Sequence, residues 1–332
     1  MLPIARYRFH FKALTPVQFP EWSGSVLRGA FGHALRRIAC MTRQRDCAGC
    51  PLLATCPYPA LFAPPPTENT LHKLTQTPAP YVIEPASWGE RRLEPGTNWY
   101  FDLVLFGRAL GELPLIALAW RQAARRGLGP GDGQSDLEVI ESLSPDGTRE
   151  TVLAGTQERV QDHSTSVPDC TPIDCRRLTL RFTTPLRLQD NGRVVPPARL
   201  SVDRLLMAVV RRASLICECH GFGAPDWDYT ELSHLAKRIR SNKDLTWQDW
   251  TRRSSRQQQT MQLGGAIGTW NLEGELTPFM PMLRIGQWLH IGKETVFGLG
   301  RYDLEDILAD EIPVVELTPQ AIVSPRQFEV SR

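Results

Sequence analysis

Apolar and charged residues alternate near the start of the chain. Tyr7, Phe9, Phe11 and Ala13 are separated by Arg8, His10 and Lys12. A period of two marks a strand with one buried face. The pattern returns when Leu178, Leu180 and Phe182 alternate with Thr179, Arg181 and Thr183. Each strand runs into Thr-Pro (Thr15-Pro16, Thr184-Pro185), where proline, lacking an N–H, is expected to end the ladder. A loop follows in each case, then a helical pattern: SVLRGAFGHALRRIAC from Ser25 and SVDRLLMAVVRRASLIC from Ser201. Each helix carries an arginine pair near its end, Arg36-Arg37 and Arg211-Arg212. A duplicated strand–loop–helix predicts two related α+β domains.

A further helix is predicted over LPLIALAWRQAARR (113–126), with Pro114 in its first turn and the glycine-rich GLGPGDGQSD after it. LEVIESL (137–143) then reads as a strand. The order β-α-β-β-α-β, twice, is the expected topology. The first domain is placed at 1–154, a Thr/Ser/Asp/Pro-rich linker at 155–174, and the second domain at 175–332. A length of 332 residues agrees with two domains of about 100–200 residues each. No run of about 18 apolar residues is present, and the mixed N-terminus MLPIARYRFHFKAL does not read as a signal peptide. A cytoplasmic protein with reduced cysteines and no membrane partner is expected.

The net charge is only +2, which argues against a uniformly basic nucleic-acid binder. Charge is instead concentrated. Lys237, Arg238, Arg240, Lys243, Arg252, Arg253 and Arg256 stand against only Asp244 and Asp249. A solvated helical face is one reading of this segment; the interleaved Trp247 and Trp250 favour a binding surface.

Cys40, Cys47, Cys50 and Cys56 have the spacing C-x6-C-x2-C-x5-C. Four thiolates make a closed tetrahedral site, so a structural zinc is the leading expectation, with no position left open for catalysis. An iron–sulfur cluster fits the spacing less well, and four plain thiols are the other alternative. On a wheel of 3.6 residues per turn, Leu27, Phe31, Ala34, Leu35 and Ile38 share one side of the first helix. Gly29, His33, Arg36 and Cys40 take the opposite side, with Arg37 one turn beyond His33. The alternatives for His33 are an inert surface residue and a proton-transfer group beside two cations that stabilise phosphate charge.

Residues 290–300, HIGKETVFGLG, suggest a phosphate-holding loop. They do not fit a P-loop, because Lys293 follows Gly292 and is itself followed by Glu294. They do not fit a dinucleotide fingerprint, because the single Gly292 precedes the pair Gly298 and Gly300. QWLHIG and TVFGLGRYDL both read as strands, so a plain hairpin is a further alternative.

Three stretches carry a resemblance to a known family: LRGAFGHALRR…CAGCPLLATCPYPALF, RRSSRQQQTMQLGGAIGTWNLEGEL and PMLRIGQWLHIGKETVFGLGRY. They resemble the CRISPR precursor-RNA processing endoribonucleases, the Cas6 family of the RAMP superfamily, in a branch with an N-terminal cysteine motif. The resemblance implies two tandem ferredoxin-like (RRM-like) domains with a cysteine-rich metal-site insertion in the first. It implies metal-independent cutting of repeat RNA, in which a 2′-hydroxyl attacks the adjacent phosphate. Guide RNAs with a 2′,3′-cyclic phosphate and a 5′-hydroxyl would result. Carried onto this chain, it makes His33 the candidate catalytic group, with Arg36 or Arg37 stabilising charge. Gly292, Lys293, Gly298, Gly300 and Arg301 become candidate RNA contacts, together with Arg252, Arg253 and Arg256. The implied partners are repeat RNA, guide RNA and CRISPR effector subunits, with the protein a monomer or homodimer in a prokaryotic cytoplasm. Two other readings remain at this point: a non-catalytic RAMP subunit that binds guide RNA, and a zinc-containing DNA-binding regulator.

Overall fold

The computed structural model describes residues 2–66, 77–155, 157, 159–163, 165, 171, 173–254 and 259–308; the side chains of 251–262 lie outside that description. The first half contains β1 (Ile4–Ala13), β2 (Val17–Phe19), α1 (Gly24–Ala39), α2 (Pro57–Phe62), β3 (Tyr81–Pro85), β4 (Arg91–Leu93), β5 (Asn98–Phe106), α3 (Leu113–Arg126), β6 (Ser135–Leu143) and β7 (Arg149–Ala154). Its main sheet is antiparallel in the order β3-β5-β1-β6-β7, with β2 and β4 as a separate small pair. The second half contains β8 (Arg177–Leu186), β9 (Gln189–Asp190), β10 (Arg193–Val194), α4 (Val202–His220), α5 (Tyr229–Ala236), β11 (Arg240–Ser254), β12 (Gln259–Glu273), α6 (Met280–Leu289) and β13 (Tyr302–Leu308). Its main sheet runs β11-β12-β8-β13. Leaving aside β2, β4, β9, β10, the added edge strand β7 and helices α2 and α5, each half is β-α-β-β-α-β, and the first strand of each lies inside its sheet. The repeat seen in the sequence is therefore the ferredoxin-like unit, used twice.

Alternation along β1 sorts its side chains onto two different cores. Tyr7, Phe9 and Phe11 face α1 and α3, where Trp120 lies against Phe101 (ring centroids 4.4 Å) and stacks on Phe31 (5.3 Å). On the other face, Ile4, Val82, Val104 and Phe106 join the core formed by α4, α6 and the inner face of β8. The order of layers is thus α1/α3, first sheet, α4/α6, second sheet. The first sheet is covered on both faces at that end.

Three expectations are corrected. First, Thr184-Pro185 does not end its strand, because β8 continues to Leu186. The register against β12 slips between Ala266 and Gly268, so Pro185 sits at an irregularity where no ladder N–H is required. Second, the basic segment after Lys237 is not a helical face. It is strand β11, paired residue by residue with β12, and its Thr and Trp content suits a strand once that partner exists. Third, QWLHIG (287–292) and the first part of TVFGLGRYDL (295–304) are not strands: Gln287–Leu289 end helix α6, Thr295–Phe297 is one tight helical turn, and strand begins at Tyr302, so the glycine-rich loop joins a helix to a strand and is not a hairpin turn. Much of the linker expected at 155–174, Cys170 included, lies outside the described residues, as does Arg256. Among the described residues, no helix is long and apolar enough to cross a membrane.

Trp120 is fully buried at the centre of the first aromatic core. Trp120→Ala is expected to destabilise the protein by about 3–5 kcal/mol, read as a lowered urea midpoint.

Candidate functional site

Helix α1 buries Leu27, Phe31, Ala34 and Leu35, together with Gly32, against which the Phe62 ring of α2 presses. His33 and Arg37 are exposed on the other side. A Cβ placed on Gly29 would meet nothing within 4 Å, so the surface one turn before His33 is open. Among the described residues, none hydrogen-bonds the His33 ring. Arg36 departs from expectation. Its guanidinium donates to the carbonyls of Gln44 and Arg45 (2.6 Å to the latter) and lies over the Tyr58 ring at 5.7 Å. It holds the cysteine loop, so its guanidinium is already engaged. The second arginine pair divides in the same way: Arg211 is exposed, while Arg212 donates to Leu289 O at the end of α6 (3.1 and 3.3 Å).

The four cysteines meet between two helix ends. Cys40 caps the end of α1 and Cys56 precedes α2. Tight turns between them carry Cys50 N–H to Cys47 O (3.1 Å) and Cys56 N–H to Leu52 O (2.9 Å). All four line one cavity of about 20 Å³, room for a single water-sized particle. Burial raises the Cys47 pKa; Arg36 opposes this, and the charges of the other three thiols add to the rise. Donor type and number fit a tetrahedral thiolate site. The spacing is wider than ligation requires: among the described residues, no three His, Cys, Asp or Glu side chains stand close enough to hold a metal ion.

The glycine-rich loop is mostly interior. His290, Ile291, Thr295, Phe297, Gly298, Leu299 and Gly300 are buried, whereas Lys293 is exposed and Gly292 and Arg301 are partly exposed. Gly298 has φ 93°, and a Cβ there would come within 2.6 Å of Ile83 O on β3. Gly300 has φ 73° and lies against the Ile291 carbonyl. Both glycines therefore let this chain's own backbone approach itself, a close-packing job that leaves them no open surface. Trp22 Nε1–H donates to Phe297 O (2.8 Å), and Trp22 stacks on Trp88 (4.8 Å), so the loop is wedged between the start of α1, β3 and the β11–β12 hairpin. The cations the loop presents outward are Lys293, exposed, and Arg301, partly exposed, with the partly exposed Glu294 beside Lys293.

The basic strand presents less free charge than its composition implied. Arg240 pairs with Glu273 (2.8 Å), and Lys243 donates to the carbonyls of Ala198 (3.3 Å) and Leu200. Trp250 is buried, while Trp247 is 40% exposed. The side chains of Arg252 and Arg253 lie outside the described residues.

A charged junction that no sequence motif marks connects the domains. Glu84 of β3 is buried, with Arg6 Nη2 donating to its Oε1 (3.1 Å) and Arg6 Nε 2.9 Å from Oε2. His290 Nε2 donates to Oε1 (2.9 Å). Burial alone would raise the Glu84 pKa, but Arg6, the His290 hydrogen bond and Arg301 together hold it well below the usual carboxylate range. These partners lie 78 and 206 positions from Glu84 in sequence, beyond any local pattern.

Comparison with known proteins agrees with this architecture. Residues 180–302 match the sequence model of the CRISPR-associated endoribonuclease Cas6 family, and residues 2–165 match a family of N-terminal domains. A Cas6 product complex aligns over 91% of this chain and 100% of its own, with TM-score 0.57 and 16% identity. Thermus thermophilus Cas6 aligns over 92% and 99%, with TM-score 0.52 and 12% identity. A partial Cas6-RT-Cas1–Cas2 complex aligns over 92% of this chain and 46% of its own, with TM-score 0.53 and 13% identity. At these identities the structural matches show a shared fold. No protein of curated function matches the sequence.

Because Glu84 has a lower pKa folded than unfolded, its contribution to stability is present above its unfolded pKa of about 4.3 and is lost as pH falls towards the folded value. Glu84→Gln is expected to flatten the acid limb of stability against pH below about 4.3, measured by urea titrations between neutral and acid pH. A steep limb retained in the variant would count against this assignment.

Proposed function

Since residues 180–302 form a domain of the CRISPR-associated endoribonuclease Cas6 family, we propose that this chain cuts CRISPR precursor RNA within its repeats and releases guide RNAs. The observation that carries the reading is on α1: His33 is exposed, with the open Gly29 surface one turn before it and the exposed Arg37 one turn after. In the proposed reaction, the 2′-hydroxyl oxygen preceding the cut forms a bond to phosphorus as the bond from phosphorus to the 5′-oxygen breaks. The products are a 2′,3′-cyclic phosphate and a 5′-hydroxyl. His33 moves a proton at this step, from the attacking hydroxyl or to the leaving oxygen, and Arg37 stabilises the charge on the phosphate oxygens. Arg36, engaged with the Gln44 and Arg45 carbonyls, acts through the loop it holds. The nucleophile belongs to the RNA, so alignment supplies much of the rate and no metal is required at the scissile bond. Lys293 and Arg301 supply phosphate contacts on the rim of the glycine-rich loop. The partners in this reading are repeat RNA and, through the guide RNA, CRISPR effector subunits.

The four cysteines fit, in donor type and number, a structural zinc that would tie the end of α1 to the start of α2. Zinc would act there as a fold element remote from proton transfer.

Repeat RNA is expected to be cleaved in EDTA, leaving a cyclic phosphate. His33→Ala is expected to bind the RNA and cut it about 10²–10⁴-fold more slowly, in single-turnover assays. Unimpaired cutting would remove His33 from the mechanism, and binding without cutting by the wild type would favour a guide-RNA-binding subunit. Metal analysis is expected to find one zinc per chain, lost in Cys50→Ser with a lower melting temperature. A metal-free wild type whose melting is unchanged by that substitution would refute the zinc site.

A further inference from the structure

We propose that Glu84 and His290 are positioning residues for RNA cleavage: the buried pair fixes residues 290–301 to the first domain and so sets Lys293 and Arg301 relative to the α1 face bearing His33. The inference rests on the RNA-cleaving reading above and deepens it.

The first support is an unusual backbone. His290 has φ 56° and ψ 165° at the end of α6, a region that is essentially glycine's alone. Non-glycine residues persist there only where their surroundings impose the conformation, and such positions gather at functional sites. His290 is completely buried. A glycine would relieve the backbone but would leave Glu84 without this partner.

The second support is the set of contacts around the ring. Nε2 faces Glu84 Oε1 at 2.9 Å and Nδ1 faces Leu299 O at 3.2 Å. Both partners accept and neither donates. A neutral imidazole has one N–H and satisfies one of them; an imidazolium satisfies both. Burial lowers the ring's pKa and Glu84 opposes that shift. The charged groups at this junction are Arg6 from β1, Glu84 from β3, and His290 and Arg301 from the two ends of the loop segment. Arg6 is held in turn over the Trp288 ring of α6 at 4.5 Å. The ring therefore ties three pieces of backbone together: β3, the end of α6, and the loop at Leu299.

The third support is what the clamped segment carries. Lys293 N–H donates to Arg187 O (2.9 Å) and Arg301 N–H to Thr184 Oγ1 (2.8 Å), so both cations are registered against β8 and its continuation. Gly24, where α1 begins, lies against the Phe297 carbonyl. From Gly24 to His33 the helix rises roughly 14 Å, a span that a few nucleotides of RNA bridge. Apolar residues of similar volume would hold two domains together as firmly as a buried ion pair. The hydrogen-bonded pair adds direction, which is what a loop carrying two phosphate contacts needs.

The test is a double-mutant cycle of Glu84→Gln and Lys293→Ala, with repeat-RNA affinity measured across salt concentrations. Lys293→Ala alone is expected to weaken binding about tenfold, the order of one charge-assisted contact, and to reduce the salt slope by about one. In the Glu84→Gln background the same substitution is expected to have little further effect, because Lys293 is no longer held in place. Independent, multiplying effects would overturn the proposal. A second arm needs no RNA. Glu84→Gln is expected to speed amide hydrogen exchange at Ile291, Lys293 and Gly300 by about tenfold or more while α3 and β6 keep their protection. Unchanged exchange in the loop would overturn the proposal. If the wild type binds no RNA, the functional reading fails and the exchange arm still decides the clamp. If Glu84→Gln does not fold, His290→Leu, which fills similar space and removes both ring hydrogen bonds, carries the same comparisons.

Discussion

The outer face of the first sheet is apolar at one end and charged along the rest. Ile4, Val82, Val104 and Phe106 are buried there, while Arg8, His10 and Lys12 continue the same face towards solvent. An apolar patch on the outside of a sheet must be covered, and α4 and α6 cover it. That requirement stacks the two ferredoxin-like units head to tail instead of leaving them as beads on a linker. It also brings the end of α6, and the loop that follows, to the boundary where the sheet changes from apolar to charged. Glu84 lies at that boundary.

The glycine-rich loop owes its form to this place. It meets β3 through Gly298, the start of α1 through Trp22 and Gly24, and the long hairpin through Trp250 and Leu263. So crowded a junction leaves no space for side chains at Gly298 and Gly300 and little freedom in the backbone. Lys293 is exposed there, and Gly292, Glu294, Val296 and Arg301 are partly exposed. If RNA is bound there, it meets two cations on a rigid rim rather than a flexible, glycine-lined cradle.

Helix α1 divides its work by face. One side fills the aromatic core, the other carries His33 and Arg37, and its last turn belongs to the cysteine loop through Arg36 and Cys40. The Arg36-Arg37 pair looks like a single basic feature in the sequence but serves two ends: one guanidinium caps carbonyls and the other stays in solvent. The Arg211-Arg212 pair repeats the division, so orphaned backbone carbonyls nearby, rather than phosphate, account for half of each pair.

The two repeated units, their first strands and helices, and the exposure of His33 were legible in the sequence. Each of these rests on residues close together in the chain, where a period of two or 3.6 directly encodes which side faces inward. The tertiary structure alone decided that the basic segment pairs as strand β11, because strand or helix there depends on a partner up to 33 positions away. It alone decided that Pro185 is tolerated at a slipped register, and that the loop glycines serve protein packing. The Arg6–Glu84–His290 junction was illegible in advance for the same reason. Its members are ordinary residues of separate elements, and only the docking of one domain on the other removes water from them and makes their charges matter.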